Sequence, residues 1–299
     1  YRHSLAVSYV TSGSLLEDVG RMSEVMPQYQ RAAQLLQELN LEQPEDFGFG
    51  KNLMDVVTLM GNVELGAGQL DKALEYYDTA LGISTRFVPD ATETSSYQHS
   101  LGNLYHNIGY VHAQRGQSDL SLEMYKKAVE VQEKLTIQEP ANTKFKSSLA
   151  HTYTNICQLM VKGGQNSSAL ELLEKSEVLY GQLVESHPSK TQFLNDLAQA
   201  KYNIGFTLGR SGRIHDALAK YMQSLEIQTK LLESNPFVFE FQKNLLVSCN
   251  NVVFLYLRYD DLPTIRNVWM KVRPAIERLS QEHDIERLSA LASLCNAFG

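Results

Sequence analysis

The sequence repeats residue types at a constant step of 48 positions. Leucine recurs at this step at Leu5, Leu53, Leu101, Leu149, Leu197 and Leu245. Glycine recurs at Gly20, Gly68, Gly116, Gly164 and Gly212, and an aromatic side chain at Phe49, Tyr97, Phe145, Phe193 and Phe241. A fixed period through a whole chain is typical of a stacked repeat protein, in which each repeat buries its apolar face against its neighbours. Because such arrays usually serve as binding surfaces, the period favours binding over catalysis.

Each repeat is predicted to be a helical hairpin. In residues 98–145 the apolar side chains follow a helical spacing, at Leu101, Leu104, Tyr105, Ile108, Tyr110 and Val111 in a first helix and at Leu120, Leu122, Tyr125, Ala128, Val129 and Val131 in a second. We expect Gly116 to end the first helix in the left-handed conformation. Ser118 or Asp119 is expected to cap the second helix, and Pro140 to end it before the next repeat.

Small residues mark the predicted crossing of the two helices. They recur at Gly13, Gly61, Gly109 and Gly205 on the first helices and at Ala32, Ala80, Ala128, Ser176 and Ser224 on the second. Short side chains allow two helix axes to approach closely. A tyrosine row on the second helices, Tyr29, Tyr77, Tyr125 and Tyr221, is interpreted as the bulky core position.

These residues resemble the tetratricopeptide repeat. That pattern has a glycine in the first helix, followed at fixed intervals by a small, a bulky and a second small residue, in a unit of about 34 residues. The sequence matches it at Gly61, Ala73, Tyr77 and Ala80, at Gly109, Ser121, Tyr125 and Ala128, and at Gly205, Ala217, Tyr221 and Ser224. The resemblance implies an all-α fold, a right-handed superhelical solenoid of antiparallel helical hairpins. The longer repeats are similar to those of arrays attached to bacterial, notably planctomycete-type, serine/threonine protein kinases.

The period predicts a single array over residues 1–299. Its six repeats cover approximately residues 1–49, 50–97, 98–145, 146–193, 194–241 and 242–286, and residues 287–299 are either a capping helix or a truncated seventh first helix. Two functions remain open. The chain is either a protein-interaction scaffold or a regulatory or spacer segment of a larger bacterial enzyme, such as a serine/threonine protein kinase, whose catalytic domain lies outside these residues. Self-association is open in both cases.

Asparagine occupies the same first-helix position in four consecutive repeats, at Asn107, Asn155, Asn203 and Asn251. The resemblance implies that this position faces a concave groove lined by the first helices. A carboxamide is both donor and acceptor, so it can pair with the main chain of an extended peptide of any sequence. The alternative is that each asparagine bonds a carbonyl group in a neighbouring repeat.

Two further rows share this helix face. Seven residues after the asparagines stand the cations Lys162, Arg210 and Arg258, and three residues after them stand the aromatic residues Tyr110, Phe206 and Phe254. An extended protein or peptide ligand that is acidic or ends in a carboxylate would suit this set. The alternatives are a solvated surface for the cations and packing between repeats for Phe206 and Phe254.

Composition and missing motifs narrow the remaining functions. The net charge of −7 argues against nucleic-acid binding, and the absence of a long apolar run argues against membrane insertion. The three cysteines, Cys157, Cys249 and Cys295, are scattered and odd in number, which predicts a reducing, cytoplasmic compartment. The sequence contains no HExxH, CxxC, GxSxG or P-loop motif, so we predict no catalytic residue, metal or cofactor.

Overall fold

The computed structural model describes residues 1–85, 94–258 and Met270, apart from the side chains of Thr94, Val253, Tyr256, Leu257 and Arg258. These residues form eleven α-helices and no β-strand. The helices are α1 (Arg2–Asp18), α2 (Met22–Glu42), α3 (Phe47–Gly66), α4 (Leu70–Ser84), α5 (Thr94–Gln114), α6 (Ser118–Gln138), α7 (Thr143–Lys162), α8 (Asn166–Ser186), α9 (Thr191–Arg210), α10 (Ile214–Ser234) and α11 (Phe239–Arg258).

Helices that follow one another in the chain pack together. Helix α1 packs on α2, α3 on α4, α5 on α6 and α9 on α10, and alternate helices also touch, α3 with α5 and α9 with α11. The predicted class, an all-α solenoid of helical hairpins, is therefore confirmed. None of the described helices is long and apolar enough to cross a lipid bilayer.

The turn inside each hairpin depends on its glycine. Gly116 has a φ of 74°, in the left-handed region that favours glycine, and Gly20, Gly68, Gly164 and Gly212 share this conformation. Two hydrogen bonds close the turn, from Gly116 N to Ala113 O at 3.1 Å and from Gln117 N to His112 O at 2.9 Å. They form a Schellman motif, so the prediction for Gly116 is confirmed.

The predicted cap of the second helix is wrong. Gln117 occupies the N-cap position of α6 without a side-chain hydrogen bond, and Ser118 and Asp119 already lie in the helix. The reason is that the left-handed glycine needs only one further residue to reverse the chain. The carbonyl of Gln117 accepts the first helical hydrogen bond, from Ser121 N at 3.0 Å.

The glycines of the first helices make room for tyrosine rings. A Cβ atom added to Gly61 would lie 2.4 Å from Tyr77 Cε1, and one added to Gly13 would lie equally close to Tyr29 Cε1. The Tyr77 and Tyr29 side chains are fully buried, so the assignment of the tyrosine row to packing is confirmed. The small residues of the second helices are buried too, and Ser224 Oγ donates to Ala198 O at 2.7 Å.

The chain divides into two compact units, Tyr1–Thr152 and Tyr153–Gly299, which we call the N-terminal half and the C-terminal half. Tyr29, Met54 and Tyr77 belong to the core of the N-terminal half. Leu173, Tyr221 and Leu245 belong to the core of the C-terminal half. The single array and its repeat boundaries stay predictions, and most of the sixth repeat and residues 287–299 lie outside the described residues.

Candidate functional site

A cavity of about 300 Å³ opens beside helices α7 and α9 of the C-terminal half. Its apolar lining comes from Cys157, Val161, Leu173, Tyr202 and Phe206, and its polar lining from Thr154, Gln158, Lys162, Asn203, Thr207 and Arg210. Apart from Leu173 on α8, these residues recur at steps of three and four along α7 and α9, the spacing of one helix face. The cavity is therefore formed by equivalent faces of two first helices.

Four of the residues predicted from the sequence meet in this cavity: Lys162, Asn203, Phe206 and Arg210. Phe206 keeps 39% of its surface exposed, and Phe254 on α11 keeps 65%. Neither ring is thus a buried residue packed between repeats. Tyr110 is half-buried on α5 in the N-terminal half, and the side chain of Arg258 lies outside the described residues.

The two cations of the cavity are exposed and available to a ligand. Among the described residues, neither Lys162 nor Arg210 pairs with a carboxylate. The Arg210 guanidinium carbon lies 6.0 Å from the centre of the Phe206 ring, a distance at which a cation is attracted to an aromatic face. An anion entering the cavity would meet both cations without first breaking an ion pair.

Asn203, which also lines this cavity, has a donor without a partner among the described residues. Its Oδ1 accepts a hydrogen bond from Gln199 Nε2 at 3.1 Å. Its Nδ2 is buried and finds no acceptor among the described residues. Leaving such a donor unpaired costs on the order of 1–3 kcal/mol. A carbonyl or carboxylate oxygen of a ligand would satisfy it.

The other three asparagines of the row differ from Asn203 in that their side chains have partners. Asn251 Nδ2 donates to Tyr202 Oη at 2.7 Å and to Val247 O at 3.1 Å. In the N-terminal half, Asn107 Nδ2 donates to Asn62 Oδ1 at 2.9 Å. Asn155 is half-buried on α7 and is also engaged in a contact. Asn251 and Asn107 therefore follow the alternative of bonding a neighbouring first helix, although the partner on that helix is a side chain and not a backbone carbonyl.

Several lining residues were not predicted. Tyr202 stands four residues before Phe206, and Thr154 four residues before Gln158. This spacing of about one helical turn could have placed them on the same helix face. Cys157 was assigned to the core, and burial raises the pKa of its thiol to about 12. The thiol is protonated at neutral pH and is no nucleophile. Among the described residues, no group of three or more His, Cys, Asp or Glu is placed to hold a metal ion.

Comparison with known proteins supports the repeat class. Residues 54–134 match the model of the tetratricopeptide repeat family. No curated protein matches the sequence significantly. The family match thus covers part of the N-terminal half, where the structure shows the same helical-hairpin fold.

Solved structures with the same fold extend the likeness beyond the matched residues. BtubC (BKLC) from P. vanneervenii has a TM-score of 0.64 at 13% identity, over 88% of this chain and 94% of that one. The nuclear import adaptor Nro1 from S. pombe has 0.63 at 12%, over 98% of both chains. Aspartyl phosphate phosphatase F from Bacillus subtilis has 0.57 at 16%, over 92% of this chain and 60% of that one. At these identities the likeness shows the fold alone.

Proposed function

We propose that the chain is a non-catalytic scaffold that binds an extended segment of a protein partner in the groove predicted for repeats three to six, with the acidic part of that segment in the cavity of the C-terminal half. The observation that carries the proposal is the cavity of the C-terminal half. It combines two cations, Lys162 and Arg210, with a buried donor, Asn203 Nδ2, and none of the three groups has a hydrogen-bond partner among the described residues. Each of these groups can bind a ligand oxygen, and an acidic peptide supplies both carboxylate and carbonyl oxygens.

The charges set the preference for an acidic ligand. Charge-assisted hydrogen bonds to carboxylates are about twice as strong as those between neutral groups, and arginine can form two at once. The protein has a net charge of −7, whereas this cavity carries two cations that no carboxylate of the described residues pairs. That local field would attract an acidic segment while the rest of the surface repels it.

The apolar lining sets the second preference. Val161, Leu173 and Phe206 surround a space of about 300 Å³, the lower end of the range for a ligand pocket. One large apolar side chain of the partner would fill it, with its acidic neighbours at Lys162 and Arg210. The expected ligand therefore carries an apolar residue flanked by carboxylates, either from Asp and Glu side chains or from a chain terminus.

A pair of labelled peptides tests this proposal. One consists of repeated Glu-Leu-Gly triplets, and the other replaces each Glu with Gln. We expect the wild-type protein to bind the acidic peptide at least about tenfold more tightly, a difference of about 1.4 kcal/mol. Lys162→Ala/Arg210→Ala should remove that difference.

The matched control is Lys72→Ala/Lys126→Ala, which deletes the same charge from two exposed lysines on α4 and α6. It should retain the preference for the acidic peptide. Equal binding of both peptides by the wild type, or an equal loss in the control, would disprove the proposal.

The alternative is that the array is a regulatory or spacer segment of a larger bacterial enzyme, such as a serine/threonine protein kinase. It is supported by the similarity of the long repeats to kinase-attached arrays. The same cavity would then recruit a substrate of the enzyme or a second copy of the chain. Sequencing the complete gene tests this directly, because a catalytic domain in the same reading frame is required.

A further inference from the structure

The N-terminal half contains a cavity of different chemistry. It measures about 470 Å³ and is lined by residues of α3, α5 and α7. The lining groups are mainly carboxamides, hydroxyls and imidazoles, including Thr58, Asn62, Asn103, His106, Asn107 and Ser148. The described part of this lining contains no Lys or Arg. Its one carboxylate, that of Asp55, is paired with Lys51 Nζ at 2.8 Å.

Two asparagines in this lining are held in fixed orientations. Asn62 Oδ1 accepts from Tyr77 Oη at 2.7 Å and from Asn107 Nδ2 at 2.9 Å. Tyr77 is fully buried, and burial raises the pKa of its hydroxyl, so this group stays a donor. Asn62 Nδ2 and Asn107 Oδ1 are bonded by no other described side chain, which leaves one donor and one acceptor for a ligand.

The neighbouring imidazole is also held and uncharged. His106 Nδ1 lies 2.9 Å from Thr152 Oγ1, and Thr152 Oγ1 in turn donates to Gln132 Oε1 at 2.8 Å. Since the hydroxyl proton is shared between Gln132 Oε1 and Ser148 O, which lies 2.9 Å from Thr152 Oγ1, the hydrogen between His106 and Thr152 belongs to the imidazole. Burial, together with a smaller electrostatic effect of His151, lowers the pKa of His106 to about 4. The ring is therefore neutral at physiological pH.

We propose that this cavity is a second binding site, selective for an uncharged polar segment of a partner protein that is rich in Asn, Gln, Ser or Thr. A peptide group or a side-chain carboxamide has one acceptor and one donor, which complement Asn62 Nδ2 and Asn107 Oδ1. A charged group would lose its hydration and find no free opposite charge in the described lining, so it is disfavoured. This site goes beyond the acidic-ligand site of the C-terminal half.

Salt distinguishes the two sites. Binding to Lys162 and Arg210 weakens as salt screens the charges. Binding through neutral hydrogen bonds in the N-terminal half has no such screening term. A ligand of the second site should therefore keep its affinity within about twofold between about 0.05 and about 0.5 M NaCl.

A random peptide library presented to the full chain tests the proposal. We expect one class of selected peptides to be enriched in Asn, Gln, Ser and Thr, to carry little net charge and to bind independently of salt. Asn107→Leu should weaken the binding of this class of peptides at least about tenfold, because it leaves a donor of the peptide unpaired. Thr58→Val, which replaces a hydroxyl with a methyl group of the same shape, is a second probe of the same wall.

Gln30→Leu on α2 is the matched control, since it exchanges an exposed carboxamide outside both cavities for the same apolar side chain. Helix content by circular dichroism should be the same in all variants. The proposal is overturned if no neutral, salt-independent class is selected, or if Asn107→Leu and Thr58→Val bind that class as tightly as Gln30→Leu does. The Glu-Leu-Gly test of the C-terminal half is independent of either result.

Discussion

Glu177 on α8 and Lys201 on α9 form a hydrogen-bonded ion pair in the C-terminal half, with Oε1 and Nζ 2.5 Å apart. Each side chain keeps only 17% of its surface exposed. The second oxygen, Glu177 Oε2, accepts from Lys220 Nζ on α10 at 2.6 Å. One carboxylate thus joins three consecutive helices. Burial alone would raise the pKa of Glu177, but the hydrogen bonds and charges of Lys201 and Lys220 outweigh it and lower the pKa.

Replacing this carboxylate should destabilise the C-terminal half. We expect Glu177→Gln to lower the free energy of unfolding at pH 7 by about 2 kcal/mol, because two partly buried lysines lose their counter-charge. Urea unfolding followed by circular dichroism measures the difference. The control is Glu185→Gln, an exposed carboxylate on the same helix, which should change stability by less than about 0.5 kcal/mol.

The pH dependence of this effect has a definite sign. A carboxylate whose pKa is lowered on folding contributes stability above its unfolded pKa of about 4.3, and that contribution is lost as pH falls through the folded pKa. The wild-type protein and Glu177→Gln should therefore approach the same stability in acid. A difference that stays constant down to the lowest pH would rule out the ion pair as its source.

The contact between Gly61 and Tyr77 predicts a cost for any side chain at the glycine. In Gly61→Ala the new methyl group would start 2.4 Å from Tyr77 Cε1, so the fully buried ring would have to shift. Overpacking of this kind costs about 1–3 kcal/mol. Gly82→Ala in the helix α4 of the same half is the control, since nothing lies within 4 Å of its Cβ position. It should be neutral or stabilising by up to about 1 kcal/mol, and thermal unfolding of the two variants checks the contrast.

Asn203 should matter for binding and little for stability. Its Nδ2 is unpaired in the described structure, so Asn203→Ala removes a buried unsatisfied donor and should unfold at nearly the wild-type urea concentration. The same change should weaken the binding of the Glu-Leu-Gly peptide about tenfold, because it removes one hydrogen bond to the ligand. Asn251→Ala should reduce the affinity for the peptide less, because Asn251 Nδ2 is already bonded to Tyr202. Equal affinities of the two variants would contradict the role given to Asn203.

The two described cysteines should be unreactive in the folded protein. Cys157 and Cys249 are each at most 1% exposed, and burial raises the pKa of both thiols to about 12. In a Cys295→Ser background, iodoacetamide at pH 8 should modify neither residue in native protein and both in denaturant. Mass spectrometry of the digested protein gives the extent at each position. Rapid native modification of Cys157 would show that the cavity it lines opens to reagent.

Features that depend on local sequence and on the period were predicted correctly. The left-handed glycine at Gly116 follows from the chain reversal that a hairpin requires, and only glycine adopts that conformation without strain. The burial of Tyr77 follows from its place on the apolar face of an amphipathic helix. These features recur every 48 residues because the same local problem recurs.

The candidate site was predicted only in outline. Helical spacing placed Lys162, Phe206 and Arg210 on one face, and the structure shows them lining one cavity. The spacing treated Asn203 and Asn251 as equivalent. Their hydrogen bonds differ because their neighbours differ. Tyr202 Oη accepts from Asn251 Nδ2, whereas Asn203 Nδ2 has no acceptor among the described residues.

The sequence by itself therefore determined the helical hairpins, their glycine turns and the face of each helix that is buried, since these depend on backbone conformation and on a periodic apolar pattern. Only the tertiary structure decided which polar groups are satisfied. A hydrogen bond requires two atoms within about 3 Å, and in the two cavities the second atom lies on another helix 45 or 49 residues away for Asn62 with Asn107 and for Tyr202 with Asn251. That separation is why the two cavities and their opposite chemistries became visible only after the helices had packed.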